Sequence, residues 1–373
     1  MTALHPRLRV AIVGCGGIGK THAESIEYAT AVELVGLCDL DRQVADALAR
    51  AYDQDSVYTD VSRMLTELHP DIVALGAPTS AHAPLTVQVA QAGVKGILCE
   101  KPMAKNLAEA RRMIDACRES GTHLIVNHQR RTTRPLRRMR ELIAEGAIGD
   151  ITLIRASCAG DVLTDGTHAI DSMRFLAGDV PVEWVFGSVY RTRVDPDQPL
   201  GKGCVDVGGW RYRHGCPIEN GAFALWQFAD GIRAELLCGE LRVPGRGYQD
   251  YMVFGDAGEL WRPGDAGNPN LLIRTAATNG WQPVDGCAAE DTVGIFARNY
   301  DRLARDINRG ASEHPLTAEN GLRALEIIMA IYESARLRGR VRLPLTQDRL
   351  PTEIMTKDGT FSGGDVDVPL SVH

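Results

Sequence analysis

The sequence predicts an α/β protein: an N-terminal doubly wound parallel sheet, followed by an α+β domain built on a large open, mostly antiparallel sheet. Three observations carry this reading. The chain opens with the apolar run Leu8-Arg9-Val10-Ala11-Ile12-Val13 and breaks into Gly14-Cys15-Gly16-Gly17-Ile18-Gly19 before a helical pattern. Apolar runs and helical patterns then alternate through the first third, an order that specifies parallel strands covered on both faces. From Ile151 the texture changes to longer β-type runs joined by glycine-rich turns, which predicts an antiparallel sheet.

The glycine turn is the first element that carries chemistry. Gly14 permits the tight turn, Gly16 lets backbone approach a pyrophosphate, and Gly19 lets the following helix pack close to the strand. Gly17 and Ile18 open that helix, whose unpaired N–H groups and dipole favour phosphate, so this is read as a Rossmann dinucleotide-binding turn. The next apolar run, Val32 to Cys38, ends in Asp39, twenty residues after Gly19. A carboxylate there accepts from ribose hydroxyls and repels a 2′-phosphate, so NAD is expected ahead of NADP. Arg42, Lys20 and His22 read as solvent-facing, and Cys15 as a small apolar filler.

Helices are expected from Arg42 to Tyr52 and Val61 to Leu68, then a buried strand from Ile72 to Leu75 that Pro78-Thr79 ends. A helix from Pro84 to Ala92 leads to a strand at Ile97-Leu98-Cys99. Asn106 with Glu109 forms a capping-box pattern before Leu107, Ala110, Ile114 and Cys117, which recur at helical spacing, and the next strand is Leu124-Ile125-Val126. The second half offers strands from Ile151 to Ala156, Glu183 to Tyr190, Ala222 to Phe228 and Ile232 to Cys238, with a helix near His168 to Leu176. Val293, Phe296, Tyr300, Leu303 and Ile307 mark one face of a late helix that Gly310 stops, and a final helix runs from Ala318 to Arg338. The expected division is a dinucleotide domain over 1–126, a substrate and oligomerisation domain over 127–345, and a strap or tail over 346–373.

Composition narrows the function classes. A chain of 373 residues can bury a large core and fill about two domains. A formal net charge of −7 argues against nucleic acid or a membrane surface as partner. No apolar stretch approaches the roughly 18 residues of a membrane span, and nothing resembles a signal peptide, so the expected location is cytoplasmic. Nine cysteines without metal-ligand spacing read as reduced thiols, and no metal is expected.

Two further signals point to a reaction. Glu100-Lys101-Pro102 follows the strand at Ile97 to Cys99, which puts its charges at the carboxyl edge of the sheet. Thr164-Asp165-Gly166-Thr167-His168-Ala169-Ile170-Asp171 places a histidine at a helix start, with Asp171 on the same face. With the glycine turn, Ala77-Pro78-Thr79 and His82, and Gly146-Ala147-Ile148-Gly149, these motifs resemble the Gfo/Idh/MocA oxidoreductases along nearly the whole chain. The resemblance implies a Rossmann domain, a second domain whose open sheet serves a homo-oligomer (dimer or tetramer), Lys101 and His168 as catalytic pair, and Pro78, Thr79, His82 and Glu100 along the cofactor groove. The sequence departs from the family where an aspartate precedes the histidine by four residues: that place is Thr164, and the carboxylate is Asp165.

Oxidising a secondary alcohol sends a hydride to the nicotinamide while a base takes the hydroxyl proton. A partly desolvated Lys101 beside a positive ring has a lowered pKa, and His168 titrates near neutrality, so either suits the task. Asp165 is expected to orient His168, bind a substrate hydroxyl or cap the turn. Asn127, Arg130 and Arg131 follow the last strand of the first domain, where the family resemblance implies a border of the substrate pocket, and Arg130 or Arg131 is a candidate for recognising an anionic group. Arg134, Arg137, Arg138 and Arg140 read as solvated helix surface. Trp210-Arg211-Tyr212-Arg213-His214 reads as a turn, with an aromatic available for sugar stacking. The expected function is an NAD-dependent dehydrogenase of a small polyol, a sugar, sugar derivative or cyclitol. An NADP-dependent keto-sugar reductase, an NAD-dependent glycosidase and a non-catalytic dinucleotide-binding regulator are the alternatives.

Overall fold

A computed structural model of the chain describes residues 6–361 apart from 202, 246 and 312. These form two compact units, one of residues up to 132 with 290–322, the other of 133–289 with the residues from 323 on. The expected tail over 346–373 is partly outside the described residues, from 362 on.

In the first unit β1 (Leu8–Val13), α1 (Gly17–Tyr28), β2 (Val32–Cys38), α2 (Arg42–Ala51), β3 (Val57–Tyr58), α3 (Val61–Leu68), β4 (Ile72–Leu75), α4 (Thr79–Gln91), β5 (Gly96–Cys99), α5 (Leu107–Ser120) and β6 (His123–Val126) alternate. The strands pair in parallel in the order β3-β2-β1-β4-β5-β6. That order reverses direction between β1 and β4, the switch point at which a doubly wound sheet opens a crevice. Asn106 caps α5 as its sequence pattern predicts, accepting from Glu109 N–H at 2.9 Å. Helix α4 begins five residues before Pro84, which lies inside it instead of at its start. His82 accounts for the early start: its ring nitrogens lie 2.8 Å from the Ala77 carbonyl oxygen and 2.9 Å from that of Pro102, which ties down the first turn.

Helix α8 (Thr292–Arg309) also belongs to this unit, although the sequence places it in the second domain. Its apolar stripe of Ala297, Tyr300, Leu303 and Ala304 joins the cluster formed by Val10, Ile12, Ala23, Ile26, Ile72 and Leu98. The Asp301 carboxylate accepts from the N–H groups of Thr30 and Ala31, both at 2.8 Å, and so fastens α8 to the turn after α1. An apolar stripe announces that a helix packs but not on which core, and this is why sequence order misleads here.

In the second unit α6 (Arg134–Ala144) precedes β7 (Ile151–Cys158), α7 (Gly166–Leu176), β8 (Val182–Tyr190), β9 (Cys204–Val207), β10 (Trp210–Arg213), β11 (Cys216–Pro217), β12 (Gly221–Phe228), β13 (Arg233–Gly239), β14 (Asp250–Gly255), β15 (Gly258–Arg262), β16 (Leu272–Thr275) and β17 (Gln282–Pro283). Helix α9 (Ala318–Leu337) leads into it, and β18 (Val341–Arg342) and α10 (Pro351–Lys357) follow. Nine strands form one sheet in the order β17-β16-β15-β14-β7-β13-β12-β8-β18. Only β7 and β13 pair in parallel, so the sheet is mixed and mostly antiparallel. Ala222, Ala224, Trp226 and Phe228 alternate into the core, while Phe223 and Leu225 face the other way and are half-buried. The described part of the strap is packed: Leu350, Met355 and Phe361 are buried, and Arg191 lies over the Phe361 ring at 4.9 Å. No helix among the described residues is long and apolar enough to cross a membrane.

Leu303→Ala is expected to lower stability by about 2–5 kcal/mol, the range for emptying a buried leucine site. Urea unfolding with and without NAD locates the loss: it must fall on the transition that NAD stabilises, and a loss confined to the NAD-insensitive transition would place α8 with the other unit.

Candidate active site

The strands of the first unit end in a row. Beyond their last residues, Gly14 N–H donates to Cys38 O at 2.8 Å, Gly76 N–H to Val13 O at 2.8 Å, Glu100 N–H to Leu75 O at 3.0 Å, and Asn127 N–H to Cys99 O at 2.8 Å. The expected cofactor and catalytic residues of this unit therefore start from adjacent positions on one sheet edge.

The glycine turn at this edge fits a dinucleotide. A side chain on Gly14 would meet the backbone of Gly76 and Ala77 at 2.6 Å, and one on Gly19 would meet Gly14 O at 2.1 Å. Both glycines are required by packing alone. Gly16 and Gly17 are exposed and face open space that a Cβ would enter, and no side chain caps α1, so its first N–H groups stay available. Ile18 is half-buried on the same turn. Asp39 anchors the turn by accepting from Cys15 N–H at 2.7 Å and Asp41 N–H at 2.9 Å. Each oxygen keeps a second lone pair for a ribose hydroxyl. Cys15 is the filler its position suggests, with its thiol pushed up to about 12 by burial and by Asp39. Arg42 pairs with Asp46 at 2.8 Å on an exposed face, as expected.

Pro78 is exposed as the residue before α4, Thr79 is buried, and His82 is buried with both ring nitrogens on carbonyl groups. His82 links the Ala77 loop to the Pro102 loop, and burial lowers its pKa against the pull of those two carbonyls. Glu100 is buried too. Its Oε1 accepts from Asn127 Nδ2 at 2.6 Å and lies 3.2 Å from His22 Nε2, an ion-pair distance without good hydrogen-bond alignment. Burial works to raise the Glu100 pKa, but His22, Asn127 and Lys101 outweigh it and hold the carboxyl below its ordinary value. His22 is fully buried, with Nδ1 2.8 Å from Tyr300 Oη, which corrects its reading as a solvated residue; Lys20 is exposed as expected. Tyr300 stands 278 residues away, so no local pattern reveals the pair. Lys101 follows Glu100 and is half-buried. Arg131 is buried in a short 3-10 turn, Gln129–Thr132, while Arg130 is half-buried.

In the second unit the segment before His168 is held by carboxylates. Asp161 accepts from Thr164 N–H at 2.7 Å, and Glu219 accepts from Val162 N–H at 2.6 Å and from Tyr332 Oη at 2.8 Å. Asp165 does not cap α7: its oxygens take Arg213 Nη1 at 2.6 Å and Tyr248 Oη at 2.7 Å. Its carbonyl accepts from His168 N–H at 3.3 Å. Thr164, His168 and Asp171 are all buried. Burial, then the charge of Asp161, pushes Glu219 up to about 7. Trp210-Arg211-Tyr212-Arg213 is strand β10 and not a turn, and its rings are buried under Arg191, which leaves no open aromatic face for a sugar. Arg134 and Arg138 pair with Glu141 at 3.2 Å, consistent with helix surface. Asp161, Glu219 and Tyr248 escaped the sequence reading, and Arg213 entered it only as part of a turn, because the fold alone gathers them.

Comparison with known proteins supports the architecture. Residues 8–128 match the model of the oxidoreductase family with NAD-binding Rossmann fold, Gfo/Idh/MocA, and residues 136–261 match a Gfo/Idh/MocA C-terminal domain. A D-apiose dehydrogenase of Paraburkholderia graminis is 32% identical over 47% of this chain and 51% of its own, so the chain matches about half the length of that relative. A myo-inositol 2-dehydrogenase of Thermotoga maritima is 27% identical over 60% of this chain and 72% of its own. The crystal structure of the WlbA dehydrogenase of Bordetella pertussis, in complex with NADH and UDP-GlcNAcA, superposes with a TM-score of 0.71 at 25% identity, covering 91% of this chain and 99% of that one.

Gly16→Ala and Gly19→Ala are expected to separate binding from folding. The first adds a methyl group to open space, so it should keep the thermal midpoint and lose NAD affinity by about tenfold or more; the second should cost about 1–3 kcal/mol of stability or more. Calorimetric NAD titration with thermal melts checks both. Glu219→Gln tests the raised carboxyl. A pKa lifted from 4.5 to about 7 means that stability present at acid pH is lost as pH rises through 7. The variant should match the parent near pH 4 and exceed it at pH 8, by on the order of 2 kcal/mol in urea midpoints converted to free energy.

Proposed function

The chain belongs to the Gfo/Idh/MocA family of NAD-binding oxidoreductases, and from that premise we propose that it transfers a hydride between a secondary alcohol of a sugar, sugar derivative or cyclitol and NAD. The row of residues at the sheet edge carries the reading: Gly14, Gly76, Glu100 and Asn127 each begin one step beyond neighbouring strands, so a cofactor cradled by the glycine turn shares its edge with Lys101. Asp39 favours NAD over NADP, because its charge repels a 2′-phosphate.

Bound NAD supplies the hydride acceptor. Lys101 and His168 handle the hydroxyl proton. Glu100, kept ionised by His22 and Asn127, is a fixed negative charge beside Lys101 and positions it, while His82 holds the Pro102 loop. Thr164 and Asp165 shape the segment that leads to His168. Pro78 and Thr79 border the cofactor; Asn127, Arg130 and Arg131 border the substrate. The half-exposed face with Phe186, Phe223 and Leu225 suits a homo-oligomer through the open sheet, since Phe186 is 38% exposed and pairs with Leu225 across strands. The nine cysteines carry no disulfide, which agrees with work in a reducing compartment, the cytoplasm.

Absorbance in the nicotinamide band with a panel of inositols and sugars tests the reaction. Lys101→Ala and His168→Ala should each depress turnover by about 10²-fold or more, with the double variant little worse, because groups that share one proton transfer are non-additive. NAD affinity should survive in the His168 variant. Near-normal turnover in either single variant removes that residue from the chemistry.

A further inference from the structure

Strand β10 sorts its side chains by face. Trp210 and Tyr212 are buried, with the Arg191 guanidinium 5.0 and 5.1 Å from their ring centres, so Arg211 and Arg213 project to the opposite side. That side borders a cavity of about 340 Å³ lying within the second unit, large enough for a small ligand. Its wall includes Asp161 and Asp165, the carboxylates of the segment that runs into α7 and His168.

The wall carries four carboxylates, Asp161, Asp165, Glu219 and Glu240, and three guanidinium groups, Arg211, Arg213 and Arg242, but they are not all paired with one another. Arg213 is engaged, 3.2 Å from Asp161 and 2.6 Å from Asp165. Glu219 is engaged by Val162 N–H and Tyr332, and Glu240 accepts from Tyr190 Oη and from Asn220 Nδ2 at 2.9 Å. Arg211 and Arg242 differ: both line the cavity, and neither lies within ion-pair distance of a carboxylate among the described residues. Arg211 acts on Glu240 only at longer range. Two guanidinium groups left without carboxylate partners, above a wall of acceptors, make a site for an oxyanion carried on a hydroxylated body. Guanidinium presents paired donors to carboxylate or phosphate, while Asp165, Asn220 and Glu240 retain acceptor capacity for hydroxyl groups.

We propose that this cavity is an anion-binding subsite in which Arg211 and Arg242 hold the carboxylate or phosphate of a polyhydroxylated small molecule, the substrate that His168 serves. The identity of the ligand as substrate rests on the dehydrogenase reading; the anion site does not. Arg130 and Arg131 are then not the residues that select substrate charge.

The test is calorimetric titration of the full chain, without turnover, using D-glucuronate, glucose 6-phosphate, inorganic phosphate and glucose as probes. At least one of the three anions should bind about tenfold or more tightly than glucose, more weakly at high salt, and the preferred anion distinguishes carboxylate from phosphate. Arg211→Gln and Arg242→Glu should each remove that advantage. Arg242 is exposed, so its variant keeps the fold even if the Arg211 variant does not, and thermal melts verify this. If no anion outbinds glucose, or the advantage survives in Arg242→Glu, the subsite is wrong. Anion binding that depends on Arg242, with no NADH formed from any polyol, would sink the dehydrogenase reading and keep the subsite. NADH formation without anion preference would do the reverse.

Discussion

A buried carboxylate organises the first unit. Glu100 is only 6% exposed, and an ion so far from water costs several kcal/mol unless its partners are fixed. Those partners come from separate places in the chain: His22 on α1, Asn127 beyond β6, and, through His22, Tyr300 on α8. Satisfying one charge thus sets the rotation of α1, the position of α8 and the ends of β5 and β6. Lys101 inherits its placement from this arrangement, because it is the next residue and leaves the same anchored strand end.

The second unit treats buried carboxylates differently, and the contrast explains their opposite behaviour. Glu100 faces a histidine, an amide and a lysine, and stays ionised. Glu219 faces backbone N–H, a tyrosine and the like charge of Asp161, so burial prevails and its carboxyl rises to about 7. Arg213 divides its attention between Asp161 and Asp165 and leaves Glu219 without a cation of its own. One cluster is built to hold a charge; the other to hold a backbone segment at the threshold of ionisation.

Local signals were legible to the extent that they are local. The strand at Leu8 to Val13, the glycine turn and the capped helix at Leu107 each depend on residues a few positions apart, and the structure forms them where they are read, with Asp39 directly after β2. The start of α4 was not legible, because His82 overrides the usual meaning of Pro84 through a contact with Pro102. The strands β3, β9 to β11 and β14 to β18 were missed; β4 to β6 are as short, but each holds an unbroken apolar run between helices, whereas β9, β10 and β15 interleave charged residues with apolar ones. His22 looked like an ordinary polar residue on a helix; only a tyrosine far along the chain makes it a core residue.

The dinucleotide unit is also completed late in the chain. Residues up to 132 supply all six parallel strands, but the apolar surface around Ile72 and Leu98 is covered by Tyr300, Leu303 and Ala304 from α8. A nascent chain that has made only the glycine turn and its sheet still exposes that surface, and His22 and Glu100 still lack Tyr300. The glycine turn and the Glu100 end of β5 therefore acquire their final surroundings only after most of the second unit has been synthesised, since 133–289 intervenes. The chain returns to the first unit with a helix that covers its apolar surface and sets a tyrosine against His22, the neighbour of Glu100.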